Sequence, residues 1–267
     1  MVAFASNSLI CRAAFQNTTV HPVAFTAIRL LSGAVVLGVL VASRKRALRR
    51  TGSWGSALAL FAYAICFSLA YVTLSTGTGA LILFGSVQFT MITVGIASGE
   101  RLTAGQWTAF LMAVGSMVWL VLPGVASPPL LGAALMSVSG IGWGVYSLRG
   151  RGVADPLVAS AGNFLKATIP GAVAFLVLPA AWKLDTTGVA LAALSGGVTS
   201  GIGYVIWYAA VRHLQATTAA TVQLSVPVIA GVAAVGILDE PLTVRLVVAS
   251  VGVLGGIAGV ILLSKKP

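Results

Sequence analysis

Amide side chains are costly to place in hydrocarbon, so Asn7, Gln88 and Gln223, each set within a long apolar stretch, are the first residues to question. An amide there either faces a solute or hydrogen-bonds a neighbouring helix, and both uses stay open for all three. Trp143 and Tyr146 lie three apart, and Tyr204, Trp207 and Tyr208 lie three and four apart, so each set shares one face of a helix. Such a face is an apolar wall with indole and phenol groups for an apolar or aromatic solute, or else part of an aromatic belt at the membrane interface. The belt suits Trp54, Trp107, Trp182 and Tyr208, near helix ends, better than Trp143 or Tyr204. Arg12, Arg29 and Lys166 are the embedded cations. Asp and Glu occur only at positions 100, 155, 185, 239 and 240, at predicted ends or loops, so no embedded acid faces them. Arg29 and Lys166 are expected to snorkel, and Arg12 either snorkels or attracts a carboxylate. Glu100 and Glu240 read as helix-start residues ahead of the caps Thr103 and Thr243. No His-Glu-x-x-His, paired embedded aspartates or Gly-x-x-x-x-Gly-Lys-[Ser/Thr] loop occurs, so zinc, aspartyl and nucleotide hydrolysis lack their side chains. Neither an enzyme nor a bound cofactor or metal is expected.

The elements that position these residues follow from hydropathy. Of 267 residues 58% are hydrophobic and only 8% are charged, with a mean hydropathy of +1.02, against roughly 25% charged in a soluble domain. A soluble globule and a disordered chain are both excluded, which leaves a polytopic membrane protein. Thr51 to Gly99 and Leu102 to Leu148 carry no charge, and each is about twice the ~20 residues that cross a bilayer as a helix. Each therefore holds two spans, broken at Ser75 to Gly79 and at Pro123 to Pro129. Along the whole chain the pattern predicts ten spans: 1–16, 22–43, 54–75, 78–98, 104–123, 130–148, 157–179, 188–211, 216–237 and 242–263. The first is short, as from a start placed inside the helix, and no small-x-small cleavage site marks a signal peptide. Pro227, in the ninth, frees a carbonyl and permits a bend.

With the N-terminus in the cytoplasm, Arg44, Lys45, Arg46, Arg49, Arg50, Arg101, Arg149, Arg151, Arg212, Lys265 and Lys266 fall inside, and Lys183 and Arg245 outside. This positive-inside bias places both termini in the cytoplasm and accounts for most of the net charge of +11 without a nucleic-acid partner. Cys11 and Cys66 lie in different spans and imply no disulfide.

An offset of 140 residues aligns Glu100-Arg101-Leu102-Thr103 with Glu240-Pro241-Leu242-Thr243 and superimposes the third to fifth spans on the eighth to tenth. Near the start the offset becomes 134, pairing His21-Pro22 with Asp155-Pro156. The expected fold is thus an all-α polytopic membrane protein of ten transmembrane helices in two five-helix repeats, residues 1–124 and 130–264. Because five is odd, the repeats are inverted, an arrangement typical of secondary transporters. Small-xxx-small pairs such as Gly140/Gly144, Gly252/Gly256 and Gly255/Gly259 suit close helix approach.

The ten-span layout, Ser6-Asn7-Ser8-Leu9-Ile10-Cys11-Arg12 in the first helix, Pro22 to Leu31, and a Glu-x-Leu turn before each closing helix resemble the EamA-type members of the drug/metabolite transporter superfamily. The resemblance implies an inner-membrane carrier that moves small metabolites, such as amino acids or related amphipathic compounds, outward by alternating access. It also implies a central cavity lined by the first, third, fourth, sixth, eighth and ninth spans, which carry Asn7, Arg12, Gln88, Trp143, Tyr146, Tyr204, Trp207 and Gln223 as candidate solute-binding residues. A passive channel or a lipid-translocating protein of the same fold is the alternative. The expected partners are a small-molecule solute and the bilayer, and a homodimer is compatible with the pattern.

Overall fold

The computed structural model describes residues 1–45, 52–97, 99, 101–124, 127–150, 153–211 and 222–263. Among these residues the chain is helical, with no strand: α1 (Val2–Asn17), α2 (Pro22–Ser43), α3 (Trp54–Tyr71), α4 (Thr76–Ala97), α5 (Ala104–Val121), α6 (Leu130–Gly150), α7 (Pro156–Val177), α8, α9 (Ser225–Leu238) and α10 (Val244–Leu262). Helix α8 runs through Thr186–Leu194, a π-helical stretch Ser195–Ile202, and Gly203–Val211. Eight of the described helices are long and apolar enough to cross a membrane, whereas α1 has 16 residues and α9 has 14. The predicted spans fall on these helices to within a few residues, except the ninth, which is predicted from 216 while α9 starts at Ser225. Positions 216–221 of the ninth lie outside the described residues, as do Arg46, Arg49, Arg50, Glu100, Arg151, Arg212, Lys265 and Lys266.

The helix starts are set by short polar side chains. His21 Nδ1 accepts from the Val23 amide ahead of α2, and Asp155 accepts from the Leu157 and Val158 amides ahead of α7, each followed by a proline at the first helical position. Thr103 forms a capping box with Gln106, and Thr243 caps α10 through the Leu246 amide. Pro227 falls in the first turn of α9, where a missing N–H is tolerated, so the bend it permits is not imposed; among the described residues Pro170 of α7 lies inside a helix.

The main helix pairs are α2 with α7, α3 with α6, α5 with α10, α4 with α6 and α9, and α8 with α1 and α2. Small residues let the backbones approach. A Cβ on Gly140 of α6 would stand 2.5 Å from the Leu83 carbonyl oxygen of α4, and one on Gly256 of α10 would stand 2.5 Å from the Ala109 carbonyl oxygen of α5. Gly255, by contrast, faces open space. Large apolar side chains are exposed along outer faces, among them Leu31, Val35 and Val39 of α2 and Val228, Val232 and Val235 of α9. Polar groups lie inside: Asn7, Thr26, Arg29, Ser68, Gln88, Ser139, Ser195, Ser200 and Gln223 are buried. That distribution suits a hydrocarbon surround, where backbone polar groups pair within helices and side-chain polar groups turn inward.

Candidate functional site

The polar centre of the bundle is Arg29. Its carbonyl sits where α2 meets α8 so closely that a Cβ on Gly196 would stand 2.0 Å from it, and the π-helical stretch carries that glycine and Ser200 past α2. A π segment widens the helix locally and re-aims its side chains, a device common at functional sites. Arg29 Nε donates to Ser200 Oγ at 3.1 Å, and Nη2 donates to the hydroxyls of Tyr63 and Tyr204 at 2.9 and 3.0 Å. The guanidinium also lies over the rings of Tyr63 and Phe67, 5.0 and 4.9 Å from their centroids. Nη1 is buried and has no hydrogen-bond partner. Arg29 is 1% exposed, so the expected snorkelling does not occur; hydroxyls and ring faces hold the charge inside instead.

Asn7 joins the same network. Its Nδ2 donates to the Tyr63 hydroxyl at 3.3 Å, while Oδ1 accepts from Ser195 Oγ at 2.6 Å and Thr199 Oγ1 at 3.0 Å. The Tyr63 and Tyr204 hydroxyls are hydrogen-bonded to one another at 3.1 Å. Helices α1, α2, α3 and α8 are thereby fastened at one level.

Beside this network lies a cavity of about 10 Å³, lined by Phe4, Tyr63, Phe67, Leu83, Phe84, Trp143 and Tyr204. That is roughly room for one water. Trp143 packs against Tyr204, Tyr63, Phe4 and Tyr146, with ring centroids 4.5, 5.2, 5.5 and 5.6 Å apart. Trp207 meets Phe4 at 6.0 Å, and the Trp143 and Trp207 indole N–H groups are buried without partners. Tyr208, expected at an interface, is buried instead. It stacks on Tyr146 with ring centroids 5.5 Å apart and donates to the Tyr146 carbonyl at 3.0 Å. Trp54, Trp107 and Trp182 are exposed, as a lipid-facing or interfacial position requires.

The two ends of the bundle differ. At one, Arg12 Nε pairs with Glu240 Oε1 at 2.9 Å, Arg12 Nη1 donates to the Tyr71 and Val72 carbonyls, and Glu240 Oε2 accepts from the Thr76 amide at 2.6 Å. Glu240 thus serves the positive end of α4, not α10, as well as binding α1. At the other end a cleft of about 410 Å³ is lined by Gly52, Ser53, Ser56, Arg149, Val153, Ala159 and Asn163. Arg149 donates to Ser56 and Ser53 there, and Lys166 reaches the Gly52 carbonyl at 2.7 Å, a snorkelled geometry.

Of the residues singled out from sequence, Trp143 and Tyr204 line the cavity, and Asn7, Tyr146 and Trp207 do not line it but touch residues that do: Tyr63, Trp143 and Phe4. Arg12 does not: its carboxylate partner is the chain's own Glu240 at one end of the bundle. Gln88 is buried within α4, and Gln223 is buried with both amide atoms unpartnered; neither lines the central cavity. Sequence reasoning missed Tyr63, Phe67, Phe4 and Ser200. A signal for the first two was present, since Tyr63, Phe67 and Tyr71 repeat every four residues and share a face of α3.

These features define a polytopic helical membrane protein enclosing an aromatic site around an embedded cation. A solved crystal structure of a protein has the same fold, with a TM-score of 0.68 and 20% identity over 99% of this chain and 98% of that one. The chain belongs to the EamA-like transporter family, which matches residues 130–263. It is 51% identical to an uncharacterized protein of Pseudomonas aeruginosa over 97% of this chain and 90% of that one. It is 24% identical to an uncharacterized transporter of Archaeoglobus fulgidus over 88% of this chain and 87% of that one.

Proposed function

We propose that the protein is a secondary transporter of the inner membrane, both termini cytoplasmic, that exports small amphipathic metabolites such as amino acids or related compounds by alternating access. The observation that carries this reading is the small aromatic cavity enclosed by α1, α3, α4, α6 and α8, with a polar latch toward one end and a cleft at the other. With room for about one water the cavity is a closed site that admits a solute only when the halves part, as alternating access requires, whereas a channel needs a continuous path. The Arg12–Glu240 latch falls on the outer side and the Arg149 cleft on the inner side in the orientation set by the positive-inside bias, so the cleft suits loading from the cytoplasm.

Two inverted five-helix repeats account for the packing. Exchanging α1 to α5 with α6 to α10 turns the α3–α6 pair into α8–α1, α4–α6 into α9–α1 and α3–α7 into α8–α2, and all of these pairs occur. It maps α2–α7, α4–α9 and α5–α10 onto themselves, and these occur too. The family match over residues 130–263 spans one such half. Such symmetry lets one cavity open to either side by exchange of conformation between the halves.

The test is solute counterflow in liposomes across a panel of amino acids and related metabolites. Saturable counterflow of at least one solute is expected, and Trp143→Ala lowers its kcat/KM by about tenfold through lost ring contacts. No counterflow of any member by well-folded protein would refute the carrier reading.

A further inference from the structure

The embedded cation narrows the chemistry of the solute. We infer that the site, when it opens from the closed form that has room for about one water, binds a small organic monocarboxylate, its carboxylate on Arg29 and its apolar body against Trp143, Phe4 and Tyr204; this rests on the carrier reading of the same site.

Three observations carry it. First, Arg29 is met only by neutral groups. Its described hydrogen bonds go to Ser200, Tyr63 and Tyr204, its other close contacts are ring faces, and Nη1 has no partner although it is buried. The other embedded or half-embedded cations are answered differently. Arg12 pairs with Glu240, and Lys166 reaches a backbone carbonyl. The described acids, Asp155, Asp185, Asp239 and Glu240, all stand at helix ends. A desolvated cation held by neutral hydroxyls is a receptor for an anion.

Second, the hydroxyls around Arg29 can serve an anion as well as the cation. A phenol oxygen accepts through its lone pairs and donates its one proton, which rotates to suit. Tyr63 and Tyr204 accept from Arg29, and on arrival of a carboxylate their protons can turn to it while Nη1 supplies the charged donor. Three of the cavity-lining residues, Tyr63, Phe67 and Tyr204, are also direct contacts of the Arg29 guanidinium, so the charge lies directly behind the aromatic wall.

Third, an ammonium group in the site would meet the like charge of Arg29, with no described carboxylate lining the cavity to offset it. Asn7 Oδ1 already accepts from Ser195 Oγ at 2.6 Å, and Thr199 Oγ1, whose single proton is shared between Asn7 Oδ1 and the Ser195 carbonyl, stands 3.0 Å away. The geometry therefore favours a plain carboxylate over a zwitterionic amino acid carrying the same apolar body.

The probes are phenylacetate, its neutral isostere phenylacetamide, and phenylalanine, titrated into the purified full chain and read by tryptophan fluorescence and calorimetry. Phenylacetate is expected to bind at least about tenfold more tightly than either of the others, the scale of a charge-assisted pair. Arg29→Gln is expected to abolish the preference and Arg29→Lys to retain part of it. The comparison on the unaltered chain stands alone if Arg29→Gln does not fold. Equal binding of phenylacetate and phenylacetamide, no binding of phenylacetate, or an undiminished preference in folded Arg29→Gln would each overturn the inference. Counterflow separates it from the carrier reading. A carboxylate preference in binding without any counterflow upholds the anion site and removes the carrier, whereas phenylacetamide carried as fast as phenylacetate removes the anion site and leaves the carrier standing.

Discussion

Replacing Glu240 by glutamine should open the latch between α1, α3 and α4 and expose a thiol that lies beside it. Glu240 makes two charge-assisted hydrogen bonds, from Arg12 Nε at 2.9 Å and from the Thr76 amide at 2.6 Å, with both side chains of the ion pair largely shielded from solvent. A glutamine of the same length keeps only one of these bonds, because its amide nitrogen is a donor and stands where the second N–H needs an acceptor. Losing one hydrogen bond to a charged group and leaving its donor unpaired costs about 2–3 kcal/mol, so the closed state loses about that much. That shifts the ratio of closed to open forms roughly 30- to 150-fold. Cys11, fully buried and next in sequence to Arg12, is a native reporter, and Cys66→Ser removes the other thiol. When opening is fast relative to modification, the labelling rate follows the open population. A membrane-impermeant maleimide applied to intact cells should therefore label Cys11 roughly 30- to 150-fold faster in Glu240→Gln, up to the rate of a freely exposed thiol. Labelling at the unaltered rate in a variant that folds and inserts would refute the latch. Labelling only from the cytoplasmic side would refute its outward placement.

Two further substitutions probe the junction of α2 with α8 and the Asn7 network. Gly196→Ala places a Cβ 2.0 Å from the Arg29 carbonyl oxygen and 2.1 Å from Ser32 Oγ, so the helices must part by about an ångström at a cost of about 1–3 kcal/mol. Thermal unfolding in detergent should show a clearly lower midpoint than Gly38→Ala, where the added methyl meets open space; equal midpoints would refute the close approach. Asn7→Ala removes the acceptor of Ser195 Oγ and one donor to Tyr63, a loss of about 1–3 kcal/mol, and the same unfolding measurement should detect it. An unchanged midpoint would mean that the network adds nothing to the fold.

The helices were legible because their signals are local. Charge-free stretches such as Thr51 to Gly99 are long enough only for spans, the first break falls at 72–75, just ahead of its cluster, with 76–79 already in α4, and Thr103, Asp155 and Thr243 sit immediately before the helices they cap. Glu240 was half legible. An acid ahead of a helix belongs at a positive helix end, and it is at one, but at that of α4, 164 residues away in sequence. Nothing in the run Glu240-Pro241-Leu242-Thr243 marks that choice, because Glu100-Arg101-Leu102-Thr103 offers the same local pattern.

The site was harder to read because the groups that hold its charge have no signature in sequence. A buried arginine is usually sought through a matching acid, and every acid in the sequence falls at a predicted helix end or loop, so snorkelling was the natural reading of Arg29. The actual partners are Tyr63, Ser200 and Tyr204, which are 34, 171 and 175 residues away and of types that also occur as ordinary helix-packing or interfacial residues. The backbone that delivers Ser200 is equally silent. Ser-Gly-Gly-Val-Thr-Ser-Gly-Ile can follow an α or a π path, and contact with α2 at Gly196 favours the wider one. Asn7, Trp143 and Tyr204 were found because amides and large aromatics are conspicuous in hydrocarbon even without their partners. Hydroxyls, glycines and a lone cation become informative only when the fold brings them together, and here that assembly moves the expected chemistry from amides and ring faces alone to a charge able to bind an anion.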